Sequence, residues 1–169
     1  HIAAGAGFGE HPHRDMEIIT IVTKGAVRHS DSMGNTYVVG EGDIQVMSAA
    51  SGVVHAEYND SNEEVLELLQ LWIVPHSRGG APSYREKHVA FSSTQNDMVC
   101  LVGEGGLSIK QDAFIYYGNF DRDKTYTYPL SSPRHGVYLF VLDGTVMVGD
   151  DTLNSRDALG VVGASDITI

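Results

Sequence analysis

The sequence predicts an all-β protein of two lobes, each with the strand pattern of an antiparallel sandwich or barrel. Short runs rich in β-branched and aromatic residues recur along the chain, and glycine-containing turns separate them. The 19 glycines fit many tight turns, whereas only residues 83–88 favour a helical turn. With 169 residues, 42% of them hydrophobic, the chain can bury a substantial core.

The first half of the chain contains six strand-like runs with turn sequences between them. The turns are Lys24-Gly25, Met33-Gly34-Asn35 and Glu41-Gly42-Asp43, whose residues suit tight reversals of the chain. The predicted strands cover residues 16–23, 26–30, 36–40, 43–48, 53–58 and 65–74.

A linker is predicted over residues 75–88, where two prolines, two glycines and alternating charges occur together. Strand-like runs resume at "MVCLVG" and continue to "ALGVVG" near the end of the chain. We therefore predict a first domain over residues 1–82 and a second over residues 83–169.

The two halves repeat one strand pattern, which becomes visible when their turn residues are aligned. Gly25 aligns with Gly144, Asp43 with Asp157 and Ser51 with Ser165. In this alignment the histidines of the first half correspond to apolar or small residues of the second half. His11 aligns with Leu130, His13 with Ser132 and His55 with Ile169. Histidines required by the fold itself would occur in both copies, so their restriction to one copy indicates a function.

Charge and composition exclude several classes of function. The net charge is −11 and no cluster of Lys and Arg is present, which argues against direct binding of nucleic acid. No apolar run reaches the roughly 20 residues of a membrane span. The single cysteine, Cys100, cannot form an internal disulfide, which fits a reducing, cytoplasmic location.

Two pairs of polar residues predict a metal site. Residues i and i+2 of a strand point the same way, so His11 pairs with His13, and His55 with Glu57. On facing strands of a barrel, these pairs would bring three imidazoles and a carboxylate to one point. Such ligands suit iron, manganese, copper, nickel or zinc, and four of them leave open positions on an octahedral metal.

Glu17 is the ambiguous residue of this pattern. It lies six residues after His11, so strand alternation allows it to face the same interior, either as a fifth ligand or as a group that orients a histidine. The remaining candidates, His29, His76, His88 and His135, have no such partners and are interpreted as solvated side chains.

The segments around these residues resemble the two motifs of the cupin superfamily. "GAGFGEHPHRDMEIITIVTKG" is similar to the first motif, although the spacing from Glu17 to Gly25 is one residue longer than usual. "GVVHAEYN" is similar to the second, with Ala50 where that motif usually has proline. More narrowly, "HPHRDMEI", "DSMGN", "GDIQVMSAASGVVHAEYN" and "LLQLWIVP" together resemble the pirin family, including its bacterial quercetinase-like members.

This resemblance implies an all-β bicupin, two consecutive antiparallel β-barrels of the jelly-roll type, with one divalent transition metal in the first barrel only. The implied ligands are His11, His13, His55 and Glu57, with Glu17 behind them, and iron is favoured on family grounds. The resemblance also implies that an N-terminal group of strands and a short C-terminal strand of complete pirins are absent.

The implied activity is that of a quercetin 2,3-dioxygenase, which opens a flavonol ring with O2 and releases carbon monoxide. Glu57 or Glu17 would act as the general base. Met16, Ile18, Ile44, Met47 and Trp72 are candidates for an apolar lining, although core packing is the commoner role for such residues. The alternative is a non-enzymatic, redox-responsive iron protein that acts through a protein partner. Substrate-dependent oxygen consumption separates these two hypotheses.

Overall fold

In a computed structural model, which describes residues 1–91, 94–132 and 134–169, the fold consists of antiparallel β-strands. The strands are β1 (Gly7–His13), β2 (Glu17–Lys24), β3 (Ala26–Asp31), β4 (Thr36–Gly40), β5 (Asp43–Ser48), β6 (Val53–Asn59), β7 (Glu67–Ile73), β8 (Ser83–His88), β9 (Asp97–Val102), β10 (Ile115–Asn119), β11 (Thr127–Pro129), β12 (Gly136–Phe140), β13 (Thr145–Val148), β14 (Asp151–Asn154), β15 (Ala158–Val162) and β16 (Asp166–Thr168). The all-β prediction is confirmed. No helix within the described residues is long and apolar enough to cross a membrane.

The chain forms two compact units. The first comprises His1–Thr94 and Met98–Asn119, and the second comprises Gln95–Asp97 and Phe120–Ile169. Residues 83–88 form strand β8 paired with β5, so the predicted helical turn is wrong. Strand pairing with a buried sheet overrides the local preference. Residues 83–91 and 98–119 thus pack with the first unit, beyond the boundary predicted at residue 82.

The first unit contains the two-stranded sheet β10-β9 and two four-stranded sheets. Their strand orders are β1-β6-β3-β4 and β7-β2-β5-β8. Strand β2 lies in the middle of its sheet, and its residues from Glu17 to Val22 are all buried because both of its faces are covered. The alternating side chains of β2 therefore enter two different environments.

The face of β2 and β5 that carries Ile19 and Val46 packs in a large apolar cluster. The other buried members of this cluster are Ile21, Ile44, Val89, Leu101, Val102 and Leu107. The opposite face carries Ile18 and Met47, which form a smaller cluster with Ala49 and Val53. This second face is the one directed towards the candidate site.

The turn between β1 and β2 and the turn between β5 and β6 each hold one non-glycine residue in the left-handed region, and a hydrogen bond joins the two turns. Asp15 has φ 50° and Ala50 has φ 43°, and the Asp15 N–H donates to the Ala50 carbonyl at 2.9 Å. Proline, whose ring fixes φ near −65°, cannot adopt the conformation of Ala50. The departure from the cupin motif at this position therefore agrees with the backbone.

Candidate metal centre

The paired histidines lie on neighbouring strands of one sheet. Strands β1 and β6 are antiparallel, with His11 opposite His55 and His13 opposite Val53. The prediction that the two pairs sit on facing strands is wrong, because direct pairing of β1 with β6 brings them together within a sheet. A register irregularity between Phe8 and His11 precedes the pair.

Three imidazoles converge at this point. One ring nitrogen from each of His11, His13 and His55 lies within 4.8 Å of the others. The ring centroids are 4.8 Å apart for His11 and His13, 4.4 Å for His11 and His55, and 4.9 Å for His13 and His55. This spacing allows all three side chains to bind one ion.

Several nitrogen atoms of this cluster are buried without a hydrogen-bond partner among the described residues. They are His13 Nε2 and both nitrogens of His55. Buried polar atoms without partners are costly, and a metal ion would satisfy His13 Nε2 and one of the two nitrogens of His55. His11 Nδ1 donates to the Gly9 carbonyl at 2.7 Å, which leaves Nε2 as the free lone pair of this ring. The residues present therefore fit a divalent metal.

Electrostatics keep the rings of His13 and His55 in the neutral form that binds a metal. Burial is the main cause that lowers the pKa of His55 to about 4, and the neighbouring His11, His29 and His13 lower it further against the opposing effect of Glu57. Burial and His11 also lower the pKa of His13. Neutral imidazoles are the ligand form, so no proton has to be displaced from these rings at neutral pH.

Glu57 lies beside His55 and carries the negative charge of the site. Its Oε1 accepts a hydrogen bond from Gln45 Nε2, and its Oε2 accepts one from Gln70 Nε2, each at 2.7 Å. Burial opposes ionisation of this carboxyl, but the neighbouring His29 and the amide of Gln70 hold its pKa below the ordinary value. Glu57 is therefore an anion at neutral pH.

His29 is buried beside the site, so the prediction of a solvated side chain is wrong. Its Nε2 lies 3.2 Å from Asp31 Oδ2, and its Nδ1 lies 3.9 Å from Glu57 Oε1. With His55 and Glu57 it forms a second group of potential ligands within 4.8 Å. The sequence contained one relevant pattern, a histidine and an aspartate two residues apart on a strand. Only the pairing of β3 with β6, which sets His29 opposite Glu57, reveals its position.

Three further histidines are not members of the cluster. His76 and His88 are exposed, and His88 contacts Asp43 at 2.7 Å. His135 belongs to the second unit, where it contacts the Ser131 hydroxyl.

The structure does not bring Glu17 to the histidines. Glu17 pairs with Ser48, whose hydroxyl donates to Glu17 Oε1 at 2.6 Å. Both share the sheet face of Ile19 and Val46, opposite to the face that carries Ile18 and Met47. The alternation argument from His11 fails because the turn at Asp15 separates the two strands and resets which side chains face inwards.

The predicted apolar lining divides between the two faces. Met16, Ile18 and Met47 pack together on the face directed towards the site, whereas Ile44 belongs to the large core cluster. The ring of Trp72 lies 4.8 Å from that of His13 and is 55% exposed. Trp72 therefore lies at the edge of the histidine cluster where solvent can reach it.

Comparisons with known protein families assign both halves of the chain. A model described as Pirin matches residues 1–73, and one described as the quercetinase C-terminal cupin domain matches residues 102–169. A protein named quercetin 2,3-dioxygenase from Escherichia coli K12 is 37% identical over 171 residues, which cover 99% of this chain and 73% of the relative. A pirin-like protein from Caulobacter vibrioides is 41% identical over 173 residues, covering 99% of this chain and 74% of the relative.

A solved structure is similar over nearly the whole chain. It is the bacterial pirin YhhW from Escherichia coli in complex with nickel(II), with a TM-score of 0.92 and 35% sequence identity. The similarity covers 99% of this chain and 72% of that structure.

Proposed function

This chain belongs to the pirin family, with two consecutive cupin domains, and from that premise we propose that it is a metal-dependent dioxygenase of the quercetin 2,3-dioxygenase type. The observation that carries this proposal is the convergence of three imidazoles, with buried and unpartnered nitrogens, beside an ionised carboxylate. Relatives named quercetin 2,3-dioxygenase support the reaction and the substrate class, a flavonol together with O2.

The proposed ligands are His11, His13, His55 and Glu57. The first three converge on one point, and Glu57 is the carboxylate next to His55. A divalent metal held there would supply open coordination positions and positive charge, which acidify a bound hydroxyl. Iron is our proposal for the metal, and a nickel-bound relative shows that a related pirin also accepts nickel. The second domain lacks the corresponding ligands, so we place a single metal in the first.

Glu57 would act as the base that receives the proton of the flavonol hydroxyl. Its ionised carboxylate has lone pairs beyond the two that Gln45 and Gln70 occupy. Glu17 is no longer part of this proposal, because it faces the core. Trp72 would contact the planar substrate at the exposed edge, and Ile18 and Met47 would limit access of water from the inner side.

The test is oxygen uptake with quercetin by protein whose iron content has been measured. We expect uptake by the loaded protein and none by His55→Ala, which removes the histidine shared by both ligand groups. Loaded protein that consumes no oxygen with quercetin would refute the flavonol dioxygenase proposal and favour the metal-binding regulator instead.

A further inference from the structure

Two glutamines surround the carboxylate of Glu57. Gln45 Nε2 donates to one carboxylate oxygen and Gln70 Nε2 to the other, each at 2.7 Å. The same nitrogens lie 3.2 Å and 3.1 Å from the hydroxyl oxygen of Thr20, which sits between them. We call Gln45, Gln70 and Thr20 the amide clamp.

Two aromatic side chains contact the carbonyl ends of the two amides. The carbonyl oxygen of Gln45 accepts from the Tyr84 hydroxyl at 3.1 Å, and that of Gln70 accepts from Trp72 Nε1 at 3.0 Å. Since an indole N–H can only donate, Gln70 must present its oxygen to Trp72 and its nitrogen to Glu57. Rotating either amide by half a turn would bring two oxygens together at Glu57.

We propose that the amide clamp positions Glu57 for the metal, and that Trp72 connects this positioning to the exposed edge of the site. The inference rests on the proposed metal site, because Glu57 is one of its ligands. Gln45 and Thr20 are fully buried, so these two members of the clamp are shielded from competing water, whereas Gln70 is partly buried. Trp72, by contrast, is more than half exposed and touches His13.

This arrangement makes Trp72 a link between two ligands. Its ring packs edge-on against His13, at an interplanar angle of 82°, while its N–H holds the amide that holds Glu57. A planar molecule that binds on the indole would therefore contact the side chain that links His13 to Glu57. The roles assigned to Gln70 and Trp72 are those of positioning residues.

The closing experiment measures the affinity for Ni(II), by calorimetry, and the absorption spectrum of the bound Co(II) form. Gln70→Met keeps the length of the side chain and removes both polar ends. We expect it to weaken Ni(II) binding by about 10- to 100-fold, the usual cost of losing a residue that orients a ligand. The Co(II) spectrum should shift because Glu57 is no longer held in place.

Trp72→Phe keeps one aromatic ring and removes the N–H donor together with the fused second ring. It should shift the Co(II) spectrum and weaken Ni(II) binding by less than about tenfold, since Gln70 retains its contact with Thr20. Gln111→Met is the matched control: its amide bonds the Val74 carbonyl and lies outside the clamp, so both readouts should stay unchanged. Thermal melts show that each variant is folded.

A double mutant separates positioning from general destabilisation. In a Glu57→Ala background, Gln70→Met should cause no further loss of Ni(II) affinity, because the residue that it positions is gone. A full additional loss would overturn the inference, as would an unchanged affinity and spectrum in Gln70→Met itself. Clamp-dependent Ni(II) binding without oxygen uptake would support the inference and refute only the dioxygenase. No Ni(II) binding by the unmodified protein would overturn both.

Discussion

The two repeats share one strand framework in considerable detail. In the first repeat β2 pairs with β5 and β3 with β4, and in the second β12 pairs with β15 and β13 with β14. The registers agree as well: Ile19 pairs with Val46 where Tyr138 pairs with Gly160, and Val27 pairs with Val39 where Val146 pairs with Leu153. Identical pairings with different side chains show that this framework does not depend on the histidines.

The turn residues explain why both repeats have the same strand framework. Asp43 accepts the N–H of Gly40 at 2.8 Å, and Asp157 accepts that of Asn154 at 2.9 Å, so both hairpins are closed by a carboxylate three residues on. Gly25 and Gly144 both have positive φ, at 80° and 86°. These turn residues recur in both repeats, whereas His11, His13 and His55 have no histidine counterparts in the second.

The repeats differ in what covers them. Ile19 is fully buried against the segment that contains Leu101 and Val102, whereas its counterpart Tyr138 is 74% exposed. Ser48 is buried, while its counterpart Val162 is 84% exposed. The first repeat thus combines the cluster of His11, His13 and His55 with a core closed on both faces of β2, which gives these histidines a rigid support.

The largest expected difference between the repeats concerns metal binding, and it is tested by replacing one histidine in each repeat. His13→Ala should abolish metal binding while leaving the strand content intact, because only one side chain of the site is lost. His135→Ala should leave the metal content unchanged. Elemental analysis after dialysis and circular dichroism check both variants, and full metal occupancy in His13→Ala would contradict the ligand assignment.

Truncation of a side chain at matching positions of the two repeats should lower the free energy of unfolding by different amounts. Ile19→Ala should lower the free energy of unfolding by about 2–5 kcal/mol, since it opens a cavity in a closed core. Tyr138→Ala, at the matching position, should change it by no more than about 0.5 kcal/mol, since its ring is mostly in solvent. Urea unfolding followed by circular dichroism gives both values; comparable losses would mean that Tyr138 is buried in solution.

The turn that holds Ala50 offers a backbone test. Ala50→Pro should lower the free energy of unfolding by more than about 1 kcal/mol, because proline cannot adopt φ 43°. Ala50→Gly should be neutral or stabilising, since glycine accepts this conformation without strain. In the second repeat the positive φ lies one position earlier, at Gly163. A stable Ala50→Pro variant would show that this turn adopts another conformation.

The smallest expected effect concerns the shared hairpin closure. Asp43→Ala and Asp157→Ala should each lower the free energy of unfolding by about 1 kcal/mol, the typical value of one hydrogen bond. The loss should be slightly greater for Asp43, which also contacts His88. Thermal unfolding measures the stability of both variants. A neutral effect of one substitution alone would show that the two turns are not equivalent.

Much of this protein follows from its sequence. The alternation of β-branched residues and the glycine turns predict the strands from Glu17 to Ile73 nearly residue by residue, because period and turn chemistry are local properties. The alignment of the repeats predicts which half carries the ligands. The grouping of His11, His13 and His55 follows from two i, i+2 pairs and the requirement that each faces one side of a strand.

Only the tertiary structure decided the rest. Strand alternation cannot be carried across the turn at Asp15, so Glu17 faces the core rather than the site. The burial of His29 and the contacts of Gln45 and Gln70 with Glu57 depend on which strands are neighbours and which sheets face each other. These are relations between residues far apart in the chain, and sequence periodicity, which repeats over two residues, carries no information about them.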